Sequence, residues 1–254
     1  MSRLPRRLGH GEEATLGEHL EELRQRLFVI IGSVVIATIV AFVFHTRLLD
    51  WLNRPLPQGH RRLLATGVAE PFTVSIAVSV YAAIVISSPV ILWQLWSFFA
   101  PAFDPGAERK VLALSAAAVA LGAGGLAFGY WVLLPRAIHF LTNYDDRHFL
   151  HLIKASTYYS FVVTVLLGIV VVFQLPLVVL GLVALGVLSS STLRRHRRIG
   201  YFVTAVIALA LPGPDPVTTF LELLPMWALF EASIWIAVAF ERRQPAPDAF
   251  QATP

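Results

Sequence analysis

Residues 158–188, YYSFVVTVLLGIVVVFQLPLVVLGLVALGVL, form a long stretch without Asp, Glu, Lys or Arg. About 20 consecutive apolar residues are enough for a helix to cross the ~30 Å hydrocarbon core of a bilayer. This stretch is longer than an upright crossing needs, and Gln174-Leu175-Pro176 lies in its middle. A proline inside a helix removes a backbone hydrogen bond and bends the chain. The stretch therefore predicts a membrane-spanning helix that is tilted or kinked near Pro176.

The rest of the sequence repeats this apolar pattern. Of the 254 residues, 56% are hydrophobic and 14% are charged, whereas soluble domains carry about 25% charged residues. Five further apolar runs occupy residues 27–44, 72–99, 111–135, 199–211 and 217–240. The sequence thus predicts an all-α integral membrane protein with six transmembrane helices. The run 199–211 allows only ~20 Å of helix, so we expect it not to reach across an undeformed bilayer.

Three parts make up the predicted chain: an N-terminal cytoplasmic segment (1–26), a six-span membrane domain (27–240) and a disordered cytoplasmic tail (241–254). In the first part, Leu16, Leu20, Leu23 and Leu27 recur at helical spacing. This pattern predicts a short amphipathic helix that lies at the membrane surface and runs into the first span.

The distribution of basic residues predicts the orientation. With six spans, both termini lie on one side, and thirteen of the 20 Lys and Arg residues then fall on that side. The positive-inside bias places it in the cytoplasm. The net charge of +4 is small, and the basic residues flank apolar runs, so we expect no nucleic-acid partner. With no cysteine, the chain has neither a disulfide nor a thiolate metal site.

Common catalytic motifs are missing from the sequence. It contains no P-loop, no HExxH pair and no GxSxG elbow. We therefore expect no enzymatic activity and no cofactor. The candidate functional residues are instead polar groups in or beside the spans, which are costly there.

Each of these polar groups also has a simpler interpretation. Glu222 and Glu231 fit residues that reach towards the two interfaces. Gln174 fits a side chain that bonds carbonyls freed by Pro176. Glu22 fits a helical pair with Arg26, and Glu108 fits a first-turn carboxylate that complements a helix dipole. Spacing alone does not decide between these interpretations and functional ones.

Six segments of the sequence resemble one protein family in order. Residues 19–27, HLEELRQRL, resemble the HLxELRxR signature that opens TatC, the receptor subunit of the twin-arginine protein translocase. The other matching segments are Ser88 to Phe98 with Ala100-Pro101-Ala102 and Glu108-Arg109, Ala65-Thr66 through Glu70-Pro71-Phe72, Phe173-Gln174-Leu175-Pro176, Leu211 to Asp215, and Pro225-Met226-Trp227 with Leu229-Phe230-Glu231. Together they cover roughly residues 16–241.

The resemblance implies a concave, glove-like bundle of six helices whose last two helices are short. It implies a protein of the bacterial cytoplasmic membrane that binds signal peptides carrying consecutive arginines. It also implies assembly with the single-span subunits TatA and TatB, self-association within the Tat complex, and export of folded proteins driven by the proton-motive force. Membrane lipid surrounds such a protein.

Site residues carry over position by position. Glu22 and Glu108 match the acidic residues that bind the signal peptide, and carboxylates suit guanidinium groups because they accept bidentate hydrogen bonds. Arg24 and Phe98 match an arginine and a loop aromatic of the same site. The remaining matches are a first-outer-loop proline, an aspartate of the last outer turn and polar or acidic positions of the fourth and sixth spans, namely Pro55, Asp215, Gln174 and Glu231.

Two departures from the family pattern matter. The loop between Pro101 and Glu108 is one residue longer than in many relatives. Many members also carry a glutamate where this chain has Gln174, which cannot titrate. A small-solute secondary transporter remains the alternative, because broken or short helices with intramembrane acids occur in that class. The missing internal repeat argues against it, and solute uptake by proteoliposomes would favour it.

Overall fold

The break in the fourth span lies where the sequence predicts it. The computed structural model describes residues 16–58, 62–99, 107–144, 152–211 and 216–242. In it, one helix ends at Val172 and the next begins at Leu175, with Gln174 between them. The described residues form these helices in chain order: α1 Leu16–Val43, α2 His45–Asn53, α3 Glu70–Phe99, α4 Ala107–Phe128, a π-helix Gly129–Leu133, α5 Leu134–Asn143, α6 Ala155–Val172, α7 Leu175–Ala184, α8 Ser190–Arg195, α9 Arg197–Ala210 and α10 Pro216–Glu241.

Among the described residues, five segments are long and apolar enough to cross a membrane: Leu20–Val43, Glu70–Phe98, Leu112–Asn143, Ala155–Ala184 and Pro216–Glu241. The remaining predicted span, the fifth in chain order, is α9, whose 14 residues give ~21 Å of helix. Its predicted shortness is confirmed. The all-α, membrane-spanning architecture is confirmed as well.

The expectation that the last helix is also short is wrong. The last helix, α10, has 26 residues, or ~39 Å of helix. Pro225 lies inside it without ending it, because a proline within a long helix can be accommodated by a local bend.

The N-terminal segment runs into the first span without a break. From Leu16 to Val43, α1 is a single helix of 28 residues. Its first turns therefore continue the axis of the first span. Leu20 and Leu27 of the leucine repeat are 63% and 52% exposed, and the position of this segment at the membrane surface stays a prediction.

The third span runs further than the sequence predicts. It was expected to end at Pro135, but the π-helix leads directly into α5, which continues to Asn143. Pro135 is the second residue of α5, and because it has no backbone N–H it cannot donate to the preceding helical turn. The wider turn of the π-helix lets the chain pass this proline without breaking.

Glycines let the third and fourth spans approach closely. A Cβ atom at Gly125 would lie 2.9 Å from Cγ of Phe173 and 3.2 Å from the backbone oxygen of Ile169. At Gly129 it would lie 2.8 Å from Cγ2 of Ile169. Any larger residue at these positions would therefore push α4 away from α6.

The helices alternate between two ends of the bundle. The terminal end carries the start of α1, the end of α3, all of α8, the start of α9 and the end of α10. The loop end carries α2, the start of α3, the end of α5 and the start of α6. A short parallel β-bridge between Leu64 and Lys154 lies at the loop end, with backbone hydrogen bonds of 2.9 Å on both sides.

The main core lies towards the loop end. It contains fully buried aliphatic residues of α2, the π-helix, α5 and α6, among them Leu52, Leu133, Leu134, Val162 and Val165. Beside it, α2, α3, α4 and α6 enclose an apolar recess of about 170 Å³. Residues 45–53, which follow the first predicted span, thus form a helix, α2, that contributes Leu52 to the core.

Candidate functional site

Glu22 is held against the end of α3 by Arg26. The Nε atom of Arg26 donates to Oε1 of Glu22 at 3.1 Å, and its Nη2 atom donates to the same oxygen. The guanidinium also donates to the backbone oxygens of Gln94 at 3.3 Å and Ser97 at 3.2 Å. Both carbonyls belong to the last turns of α3, and the final four carbonyls of a helix have no helical donor. Arg26 therefore fixes the Glu22 carboxylate at the junction of α1 and α3.

One oxygen of the Glu22 carboxylate remains available. Both contacts with Arg26 go to Oε1, and Oε2 has no hydrogen-bond partner among the residues that the structure describes. The Glu22 side chain is 39% exposed, whereas that of Arg26 is 21% exposed. The Glu22 carboxylate is thus positioned through one oxygen and is half-exposed.

Arg24 points away from this junction. Its Nη1 atom lies 3.5 Å from Oε2 of Glu21, and its guanidinium stacks over the ring of Phe28 at 5.6 Å. It is largely exposed. Phe98, one residue beyond Ser97 at the end of α3, is half-buried. The structure thus brings Phe98 and Glu22 to the same end of α3 and leaves Arg24 on a separate surface of α1.

Two predicted site residues are not described in full. The backbone of Glu108 lies in the first turn of α4 at the terminal end, while its side chain is outside the described residues. Asp215 also lies outside them.

Gln174 binds a neighbouring helix of the same chain. Its Nε2 atom donates to the backbone oxygen of Ala118 in α4 at 3.0 Å. A Cβ atom at Gly122 would lie 3.2 Å from Nε2, so this glycine leaves room for the amide. The simpler interpretation, that Gln174 bonds carbonyls freed by Pro176, is wrong for this donor, because Ala118 belongs to a different span.

Glu231 joins α10 to α9. The hydroxyl of Tyr201 donates to Oε1 of Glu231, and Nη2 of Arg197 lies 3.6 Å from Oε2. The two helices approach closely here, since a Cβ atom at Gly200 would lie 2.0 Å from the ring of Phe230. Glu231 is therefore bound within the chain and is 29% exposed.

Pro55 follows α2 at the loop end, where three tyrosines hold the end of that helix. Tyr130 donates to the backbone oxygen of Trp51 at 2.8 Å, and Tyr158 donates to that of Leu52 at 2.7 Å. Tyr159 donates to Oδ1 of Asn53 at 3.0 Å. The bond from Tyr158 satisfies a carbonyl at the helix end, whereas the carbonyl of Trp51 also accepts from the backbone N–H of Arg54 at 3.2 Å. Pro55 thus lies at the loop end, whereas Glu22 lies near the start of α1 at the terminal end.

Sequence reasoning missed three positioning residues. Arg26 was treated only as a helical partner of Glu22, and its contacts with α3 cannot be seen in local spacing. Glu70 accepts four hydrogen bonds, from the backbone and hydroxyl of Thr66, from Gly67 and from Ser156 in the first turn of α6. Glu241 accepts from the backbone and hydroxyl of Ser190 and so holds α8. An acidic residue at a helix end was the available signal for the last two.

The sequence matches one protein family over most of its length. Residues 18–225 match the family model described as Sec-independent protein translocase protein (TatC). TatCd of Bacillus subtilis is 35% identical over 233 residues, covering 91% of this chain and 95% of that protein. TatC of Carboxydothermus hydrogenoformans is 32% identical and covers 88% of this chain and 92% of its own length.

A solved structure shares the fold. The crystal structure of the twin-arginine translocase receptor TatC in DDM has a TM-score of 0.77 and 29% sequence identity, and the match covers 87% of this chain and 99% of that one. The family model spans most of the sequence, and relatives above 30% identity match almost end to end. The chain therefore belongs to the TatC family of Sec-independent protein translocase subunits.

Proposed function

We propose that this translocase subunit is the receptor for twin-arginine signal peptides. In this proposal the terminal end of the bundle faces the cytoplasm, and the signal peptide binds there, beside the junction of α1 and α3. The observation that carries the proposal is the Glu22 carboxylate, which Arg26 fixes through Oε1 while Oε2 has no partner among the described residues.

Once Glu22 turns from Arg26 towards the peptide, both of its oxygens can accept, and it suits an incoming arginine better than an incoming lysine. A guanidinium can donate two parallel hydrogen bonds to a carboxylate, whereas an ammonium acts as a point charge. Arg26 keeps its two contacts with α3 if Glu22 turns towards the peptide. The receptor residue can therefore change partner without leaving Arg26 unpaired.

Two arginines call for two acceptors. Glu108 is the proposed second acceptor, since its backbone lies in the first turn of α4, which packs against α3. Phe98 supplies an apolar surface at the end of α3. Arg24, on the neighbouring surface of α1, orients the basic peptide by charge repulsion. These roles extend the resemblance to the positions of this chain.

Assembly with TatA and TatB completes the proposed function. Single-span partners would pack on the outer surfaces of the spans and contact Pro55, Gln174, Asp215 and Glu231. The complex, which also contains further copies of this chain, would export folded proteins through the bacterial cytoplasmic membrane by means of the proton-motive force. Because the amide of Gln174 cannot titrate, Gln174 contributes a hydrogen bond to export and does not carry a proton.

Export of a folded reporter tests the proposal. A bacterial strain that lacks its own TatC would express this chain with the TatA and TatB of its source, and a reporter that fluoresces only when folded before export would carry an Arg-Arg signal peptide. We expect the wild-type chain to restore export of the Arg-Arg reporter but not of a Lys-Lys version.

Matched variants locate the site. Glu22→Gln should abolish or strongly reduce export, because the amide loses the charge and one acceptor oxygen. Asp50→Asn removes an equal charge from the exposed surface of α2 at the opposite end and should export normally. Equal export of Arg-Arg and Lys-Lys reporters, or normal export by Glu22→Gln, would contradict the proposal.

A further inference from the structure

Arg26 uses all three nitrogens of its guanidinium group within the chain. Its Nε and Nη2 atoms donate to Oε1 of Glu22, the carboxylate of the proposed receptor site. Nη2 also donates to the backbone oxygen of Ser97 at 3.2 Å, and Nη1 donates to that of Gln94 at 3.3 Å. Arg26 is therefore an internal counter-ion of Glu22 that is bound to a second helix as well.

The contacts with α3 hold Arg26 independently of Glu22. The two backbone oxygens lie in the last turns of α3, where a cation is favourable because the helix dipole is negative at that end. Arg26 is also the less exposed of the two side chains. Arg26 is thus anchored on α3, and Glu22 is the member of the pair that can exchange its partner.

An arginine of α1 therefore occupies the carboxylate that an arginine of the signal peptide has to reach. Both contacts are of one kind, in which a guanidinium donates hydrogen bonds to a carboxylate oxygen. Glu22 precedes Arg26 by four residues on one helix, which is the favourable order for such a pair. Because both groups belong to one chain, the internal contact forms without bringing two molecules together. Binding of the peptide at Glu22 is then an exchange of one guanidinium for another.

We propose that Arg26 is an internal competitor of the signal peptide and sets the affinity threshold of the receptor site. This inference rests on the proposed function, in which Glu22 turns from Arg26 towards the peptide. Only the fraction of the protein in which Glu22 has left Arg26 can bind, so the apparent dissociation constant is raised by the inverse of that fraction. The factor is the same for every peptide, and the ratio of Arg-Arg to Lys-Lys affinity does not depend on it.

The threshold nevertheless decides which signal peptides occupy the site at a given concentration. A uniform loss of affinity empties the site of the weaker Lys-Lys peptide over a range of concentrations at which the tighter Arg-Arg peptide still fills it. Arg26 acts on this selection through Glu22 and does not touch the peptide. It is therefore a positioning residue that contributes to specificity.

Equilibrium binding of labelled Arg-Arg and Lys-Lys signal peptides to the purified full chain tests the proposal. We expect Arg26→Gln to bind both peptides about two- to fivefold more tightly than the wild type, since partly exposed ion pairs of this kind are of that strength. The ratio of the two affinities should stay unchanged. Arg26→Lys keeps the charge but lacks the planar fork of donors, so its affinities should lie between those of the wild type and Arg26→Gln.

A double-mutant cycle with two neighbouring carboxylates locates the effect. In a Glu22→Gln background, Arg26→Gln should no longer raise the affinity, because the contested carboxylate is gone. In a Glu21→Gln background the full increase should remain, since Glu21 pairs with Arg24. Arg195→Gln removes one exposed positive charge from α8 at the same end of the bundle and should change the affinity less than Arg26→Gln does.

Arg26→Gln also loses the contacts with α3, so unfolding of each variant in SDS is measured alongside, and Arg26→Lys decides the question if Arg26→Gln is unfolded. Weaker or unchanged binding of the Arg-Arg peptide by the folded variants would overturn the proposal, because the peptide would then add to Oε2 of Glu22 beside Arg26. An equal increase in Arg195→Gln, or an increase that survives in the Glu22→Gln background, would overturn it by assigning the effect to charge alone. Failure of the receptor function looks different, since Glu22→Gln itself would then leave binding of the Arg-Arg peptide unchanged.

Discussion

The side-chain amide of Gln174 donates to the backbone oxygen of Ala118 at 3.0 Å, and this hydrogen bond ties the break between α6 and α7 to the middle of α4. At the break, the backbone N–H of Phe173 still donates to the carbonyl of Ile169 at 3.0 Å, whereas that of Gln174 donates to the carbonyl of Val171, only three residues back, at 3.0 Å. A polar side chain at the break thus serves a structural purpose within the chain, whatever partner it contacts in the assembled translocase.

Loss of this hydrogen bond should weaken the bundle measurably. Gln174→Ala is expected to lower the free energy of unfolding by about 1 kcal/mol, since hydrogen bonds between spans contribute roughly 0.6 to 1.7 kcal/mol. Unfolding of the purified protein in mixed micelles by added SDS measures the change. Gln58→Ala, on the exposed surface of the loop end, is the control, and equal stability of the two variants would show that the bond is unimportant.

Close packing between α4 and α6 predicts a large effect of one methyl group. Gly125→Ala should destabilise the protein by about 1 to 3 kcal/mol, because the added Cβ would meet Phe173 and the backbone oxygen of Ile169. Gly32→Ala is a matched control in α1, where a Cβ atom meets nothing within 4 Å, and helix propensity should make it neutral or stabilising. Similar unfolding curves for the two variants would contradict the packing described here.

The carboxylate of Glu70 connects two loop-end segments. Glu70→Ala removes four hydrogen bonds to Thr66, Gly67 and Ser156, and hydrogen bonds to a charged group are stronger than those between neutral groups. We expect faster amide hydrogen exchange at Ser156 and Gly67 together with lower stability. Glu70→Gln, which keeps one acceptor oxygen, should fall between the variant and the wild type. Unchanged exchange at Ser156 would exclude the link to α6.

Two tyrosines with similar surroundings should differ in their sensitivity to loss of the hydroxyl. Tyr158 donates to the carbonyl of Leu52 in a buried position, so Tyr158→Phe is expected to cost about 1 to 3 kcal/mol by leaving that carbonyl open. Tyr81 is half-buried beside the same core, and its hydroxyl has no hydrogen-bond partner among the described residues. Thermal unfolding should therefore shift for Tyr158→Phe and not for Tyr81→Phe, and equal shifts would rule out the bond.

The sequence was sufficient for the helices and for the break in the fourth span, because both depend on local composition. Residues 158–188 lack charge, and Pro176 cannot continue a helix with a regular hydrogen bond. The same local rules misplaced the end of the third span. Pro135 lies within a continuous helical segment, since the chain passes from α4 through a π-helix into α5.

Contacts between distant segments could not be predicted in this way. The helical pair of Glu22 with Arg26 follows from spacing, but the contacts of Arg26 with Gln94 and Ser97 depend on how α1 crosses α3. Likewise, Gln174 was recognised as an unusual polar residue, while its acceptor on α4 depends on the space left by Gly122. The polar residues of the candidate site could be named from the sequence, and the groups that position them could not.

The most direct test of the central claim is a double-mutant cycle on signal-peptide binding. Equilibrium binding of Arg-Arg and Lys-Lys peptides would be measured for the purified wild-type chain and for Glu22→Gln, with the same pair of measurements for Glu108→Gln. We predict that the wild-type chain prefers the Arg-Arg peptide by about 1.5 to 3 kcal/mol and that Glu22→Gln removes most of this preference. An equal preference in the wild type and in Glu22→Gln would contradict the assignment of Glu22 as a receptor for the paired arginines.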